Sequence, residues 1–145
     1  MEAALGPIAF DEYHAAFASA TPPARPSPDK ESRWHIRDLY VSPAHRGRGI
    51  AMKLREALFN VVSREARAAG ALTARMRIIV NPKNTWLVEW DRRCGFGDYV
   101  MVTLREGLVA NGMGESVPQD TGSSGELRAV WETRYGMCME RAVGV

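Results

Sequence analysis

Residues Leu39–Ala51 read LYVSPAHRGRGIA and pass from an apolar segment through a proline turn into a glycine-spaced, doubly basic helix start. Ile36, Leu39, Tyr40 and Val41 are the β-branched and aromatic types of a buried strand. Ser42-Pro43 ends that strand, because proline has no N–H for a ladder. The spacing of Ile50, Leu54, Ala57, Leu58, Val61 and Val62 predicts a helix starting near Gly49 and stopping at Gly70. Its first turn has unpaired N–H groups and the positive end of the macrodipole. Gly47 and Gly49 let an anion come close to the backbone of Gly47–Ala51, and Arg46 and Arg48 add planar, permanently charged donors. The stretch reads as an anion cradle of a size for a diphosphate.

Working outward, Arg33–Val41 is the strand that leads into the cradle. Leu72–Val80 reads as a second strand, with Ala74, Met76, Ile78 and Val80 on one face and Arg75 and Arg77 on the other. Strand, helix, strand implies a parallel crossover whose ligand lies at the carboxyl ends of the strands, here Val41 and Val80. Asn84–Arg93 reads as a short helix with Leu87, Trp90 and Cys94 inward and Gly95 as its stop. Tyr99–Leu104 is a further strand. Leu127–Val143 is expected to hold a hairpin interrupted at Gly136. Leu5–Phe10, opened by Gly6-Pro7, reads as a first strand continuing towards Tyr13 and Phe17, while Phe10, His14 and Phe17 also fit a helical face. Thr21–Ser32, with four prolines, and the glycine- and serine-rich 107–125 read as loops within one domain spanning 1–145.

Composition narrows the function. The chain has 145 residues, 46% apolar and 25% charged, as a soluble globular domain has. A net charge of +2 suits an anionic cofactor and is too small to argue for nucleic acid, and no stacking aromatic cluster accompanies the arginines. Cys94 and Cys138 form neither a metal-ligand spacing nor a disulfide framework, which points to a reducing cytoplasm and no metal. No apolar run has membrane-spanning length. The dinucleotide fingerprint fails because Met52 stands where a third glycine is required, and a P-loop fails for want of Gly-Lys-Ser/Thr.

What does match is Arg-x-x-Gly-x-Ala, Arg46 to Ala51, after a strand ending Asp-Leu-Tyr-Val. This resembles the acetyl-CoA signature of the GCN5-related N-acetyltransferases (GNAT). Asn84 with Arg93-Cys94-Gly95-Phe96 is similar to the Asn…Lys-x-Gly-Phe segment of the same family, and the two matches cover Arg33–Leu104. The resemblance implies an α/β (α+β) fold: a mixed, mostly antiparallel sheet with a parallel strand-helix-strand unit that splays to admit acetyl-CoA. Cofactor contacts are then expected from Leu39, Tyr40 and Val41, whose free backbone groups pair with the pantetheine arm, from Arg46, Gly47, Arg48, Gly49, Ile50 and Ala51 at the diphosphate, and from Asn84.

The implied chemistry is acetyl transfer from a thioester to an amine of a small molecule or protein. A backbone N–H near Val41 would polarise the carbonyl. The family's leaving-group acid is commonly a tyrosine seven residues after the helix asparagine, and that position is Asp91. A carboxylate is ionised at neutral pH unless burial raises its pKa, so Asp91 reads either as an unusual acid or as a salt-bridged helix residue, with Arg92 or Arg93 as the partner. Trp86 and Trp90 carry no acid and are expected to pack in the core. Arg37 stands where some relatives carry a glutamate base; His35, on the same strand face, is the candidate base. Only Met1–Ser32 precedes the cradle strand, where relatives place a strand, two helices and another strand. Three readings of that shortfall stand: a partner chain completes the sheet and acceptor pocket, which favours a homodimer, the start of the chain is set too late, or the acceptor function has been lost. The alternative function is a non-catalytic acyl-CoA-binding module.

Overall fold

A computed structural model describes residues 2–7, 30–110, 113–118 and 125–145. Strand β1, Glu2–Pro7, contains Gly6-Pro7 at its end and not at its opening. The expected continuation towards residue 10, and most of the proline-rich loop, lie outside the described residues. β2 is Glu31–Tyr40, α1 is Ile50–Ala68 and β3 is Thr73–Val80, so strand, helix and strand fall within two residues of their expected bounds. α2 is Thr85–Arg93 and β4 is Gly97–Thr103. Helices α3, Leu104–Ala110, and α4, Gly125–Glu132, then lead to β5, Arg134–Gly144.

The two late helices correct the sequence reading. Thr103 and Glu106 form a reciprocal cap: the Glu106 N–H donates to Thr103 Oγ1 at 3.1 Å and Glu106 Oε2 accepts the Thr103 N–H at 2.8 Å. That cap starts a helix at Leu104, at the end of the expected strand, and carries it into the expected loop. Nor is the chain after Leu127 a hairpin, since β5 runs unbroken through Gly136. A Cβ on Gly136 would stand 3.0 Å from Val102 Cγ2 and 3.3 Å from Ile79 Cγ2, so the glycine is there for room between strands and breaks nothing.

The strands make a mixed five-stranded sheet in the order β1-β2-β3-β5-β4, parallel between β2 and β3 and antiparallel elsewhere, as expected. One face carries the main core. Trp34 and Ile36 of β2, Ala74, Met76, Ile78 and Val80 of β3, and Met137 and Met139 of β5 pack there against Leu58, Val62 and Ala66 of α1 and Val88 of α2. On the other face a smaller cluster joins Val102, Cys138 and Ala110, the last from α3. The arginines expected on that face are not left in water. Arg77 is fully buried, and Arg75 bridges Glu31 at 3.0 Å and Glu140 at 3.2 Å, tying β2, β3 and β5 together.

Candidate functional site

The parallel ladder runs from Glu31↔Thr73 to His35↔Arg77 and stops there, although β2 continues to Tyr40 and β3 to Val80. Outward pairing persists, with Tyr40 opposite Glu2 on β1 and Val80 opposite Met137 on β5. Each strand is therefore held from outside while the inner edges part. A bulge contributes to the parting: β2 advances three residues, Arg37 to Tyr40, while β1 advances two, and Asp38 within it takes a left-handed φ of 57°.

Two cavities occupy the opening. The larger, about 660 Å³, runs along the Val41–Met52 connection and is walled on its far side by α2. Leu39, Tyr40, Val41, Arg46, Gly47, Gly49, Ile50, Ala51 and Asn84 all line it, so nine of the ten residues expected to meet the cofactor are brought together. Arg48 is exposed and takes no part in the wall. Gly47 (φ 74°) and Gly49 (φ 69°) adopt left-handed backbone, and a Cβ at either would meet nothing within 4 Å. The surface is open at both, and conformation is what calls for glycine. Gly49 is the N-cap of α1, with no side-chain cap and no acidic residue in the first turn, which leaves the helix dipole free to meet an outside anion. Arg46 Nε donates to Val41 O at 3.0 Å and its guanidinium lies 5.9 Å from the Tyr40 ring, so the arginine also braces the loop it charges.

Asn84 caps α2, its Oδ1 accepting the Leu87 N–H at 3.2 Å. Downstream of it the expected packing is revised. Leu87 and Cys94 are half-buried and pack against the core as expected, but the buried residues of α2 are Val88 and Asp91, and Trp90 is only half-buried. Trp86 is 71% exposed and no core residue; it stacks on Trp90 with centroids 6.3 Å apart and planes 6° from parallel. Trp86, Leu87 and Trp90 line the larger cavity together with His45 and Met52. The signal for the first three was their position on one face of the helix that Asn84 caps.

The smaller cavity, about 250 Å³, is the slot between the parted strands. Ile36 to Leu39 of β2 and Ile78 to Val80 of β3 wall it, with Leu87 and Asp91 of α2 and Arg55 of α1 at its floor. Asp91 is fully buried, and its partner is neither Arg92 nor Arg93. Arg55 Nη1 donates to Asp91 Oδ1 at 2.5 Å, with side-chain exposures of 4% and 1%, whereas Arg92 bridges Asp98 at 2.6 Å. Burial raises the Asp91 pKa above the ordinary aspartate value, and the charge and hydrogen bond of Arg55 oppose that rise without cancelling it. Asp91 Oδ2 and Arg55 Nε are buried with no hydrogen-bond partner.

His35 is not brought to this site. It pairs in register with Arg77 on the opposite face of the sheet, its Nδ1 receiving Arg77 Nε at 3.4 Å, and it lines neither cavity. The period of the strand accounts for this: Trp34 and Ile36 take the face that packs α1, so His35 takes the other.

A mixed sheet opened between two parallel strands, with a glycine-built helix start beside the opening, has the shape and charge to admit an extended anionic ligand between the strands. Comparison makes that reading specific: the family model described as Acetyltransferase (GNAT) family matches residues 3–96, and the chain belongs to that family. No curated protein and no solved structure matches it. Acetyl-CoA, the cofactor the family implies, fits the residues present. The open glycine surface and free helix start suit a diphosphate, and the unpaired inner edges of β2 and β3 suit an amide-bearing arm. Among the described residues no helix is long and apolar enough to cross a membrane.

Proposed function

We propose that the protein is an acetyl-CoA-dependent N-acetyltransferase acting on a primary amine of a small molecule or a protein. The observation that carries this reading is the coincidence of the strand parting with both cavities, which Leu39 and Leu87 share as a common wall. Acetyl-CoA, when bound, supplies an acetyl group activated as a thioester. The residues of this chain do the rest. The backbone of Gly47–Ala51 and Arg46 hold the diphosphate, and Leu39–Val41 offers the arm the groups of a missing strand. Ile36, Leu39, Ile78 and Val80 give the slot apolar walls.

An alkyl ammonium has a pKa of about 10, so only about one molecule in a thousand is nucleophilic at neutral pH. Transfer releases a proton at nitrogen and needs one at the leaving sulfur. Asp91 is the group this reading assigns to the second task, because its Oδ2 is unpartnered on a residue that lines the slot and burial raises its pKa above the ordinary aspartate value. The homodimer belongs to the same reading, with β1 at the end of the sheet order as the edge a second copy would extend.

Isothermal titration with acetyl-CoA and with desulfo-CoA, followed by a panel of amines scored for thiol release, tests the proposal. Binding of both with release for one amine class is the expected result. Binding of both without release for any amine would favour the non-catalytic acyl-CoA-binding module, and binding of neither would refute the cradle. Sedimentation of the purified protein tests the dimer.

A further inference from the structure

The pair on the slot floor is built in an unusual way. Two opposite charges sit on the apolar stripes of neighbouring helices: Arg55 lies in line with Leu58, Val62 and Ala66 on α1, and Asp91 follows Val88 by one turn on α2. Burying such a pair costs more in desolvation than apolar side chains of equal size would, so neutralisation alone is a poor reason to keep it. The contact is also incomplete. Arginine–carboxylate pairs frequently form two parallel hydrogen bonds, whereas here one nitrogen meets one oxygen and Asp91 Oδ2 is left over. The Arg55 guanidinium is meanwhile seated 3.8 Å from the Trp90 ring centroid and 5.4 Å from that of Phe96. A planar cation held against two rings has little freedom to swing.

We propose that Arg55 is the positioning residue of the slot: seated on Trp90, it fixes one oxygen of Asp91 so that the other opens on the gap between β2 and β3. The inference rests on the reading in which Asp91 handles the proton of acetyl transfer. Among the described residues no other element packed around Asp91 supplies a charge in contact with it. β2 brings Arg37 and Asp38 to the slot wall, where they pair with each other at 3.7 Å and are exposed. β3 presents Ile78 and Val80. On α2 itself Glu89 and Arg93 are exposed and Arg92 is held by Asp98 of β4. Arg141 of β5 donates to Cys94 O at 2.6 Å and lies over Phe59.

The test follows the carboxyl carbon of Asp91 by ¹³C NMR, with CoA and desulfo-CoA as probes, in wild type, Arg55→Met and Trp90→Leu. Removal of the guanidinium leaves burial unopposed, so the Asp91 midpoint in Arg55→Met should rise by about one pH unit or more. Desulfo-CoA affinity should stay within about threefold of wild type, since the cradle is a separate part of the site. CoA, which has the sulfur, should move the Asp91 signal of wild type more than desulfo-CoA does, and in Arg55→Met that difference should vanish. Trp90→Leu unseats the guanidinium while keeping its charge and serves if Arg55→Met does not fold; the CoA-specific shift should fall by at least about half. An unmoved midpoint and an unchanged CoA shift in either variant would overturn the role of Arg55. Failure of wild type to bind desulfo-CoA would instead remove the functional reading beneath it.

Discussion

Asp91 differs in its chemistry from an exposed aspartate. Because its folded pKa is raised, the folded state favours its protonated form; the stability it contributes is full below the ordinary aspartate value of 3.8 and is lost as pH rises through the folded value. Asparagine resembles the protonated form at every pH. The stability of wild type minus that of Asp91→Asn should therefore be largest in acid and decline as pH rises, which urea denaturation of the two proteins at a series of pH values will show. An increase with pH would mean that Arg55 outweighs burial. The two cysteines make a second contrast at this scale. Burial pushes the Cys138 thiol well above the usual range, while Cys94 is half-buried beside Met52. Ellman's reagent should titrate one thiol in the native protein and two in denaturant. Of the site residues, those of Leu39–Ala51 were legible because each obeys local rules of turn, glycine and helix start. The Arg55–Asp91 pair was not, although both charges occupy core positions of their helices. A helical period shows that a residue is buried, and it takes the neighbouring helix to show with what.

Among the elements, α1 begins on a glycine whose conformation and openness both matter. Gly49→Glu would add left-handed strain of about 1–2 kcal/mol and place a negative charge at the positive end of the helix. Affinity for desulfo-CoA should fall by at least about tenfold in titration calorimetry, with only a modest fall in melting temperature. In β5 the demand on glycine is spatial. Gly136→Ala must push Val102 or Ile79 aside and should cost about 1–3 kcal/mol in chemical denaturation, with no direct effect on cofactor binding. Reading Gly136 as an interruption was the natural error: a strand glycine looks the same in sequence whether it breaks a ladder or lets a neighbour in. Helix α3 was hidden for another reason. Its capping pair, Thr103 and Glu106, is plain in the sequence, but the glycine and serine content that follows outweighed it.

Across the whole molecule the two sheet faces are stabilised differently. One is an apolar core against α1 and α2, and the other carries a half-buried arginine, Arg75, between two glutamates. Arg75→Met would leave buried Glu31 and half-buried Glu140 without that shared cation, and a loss of about 2–4 kcal/mol, somewhat below that for breaking a fully buried pair, is expected by calorimetry or denaturant unfolding. The mixed, mostly antiparallel sheet and its splay were foreseen from the parallel unit together with the family signature. The position of the latest strand was not, since strand order depends on contacts distant in sequence.

That position has a kinetic consequence. β5 is the latest strand in the chain yet stands between β3 and β4, pairing with both along most of its length. During synthesis β2, α1 and β3 can meet as soon as they emerge, but β4 has no neighbour in the sheet until Arg134–Gly144 arrives. The nascent protein thus holds two open β edges that only its own late segment fits, and ribosome stalling before that segment would present them to other chains. The same gap is an opportunity for assembly by complementation: a fragment ending before Arg134 and a separate peptide of the β5 sequence should combine into one sheet.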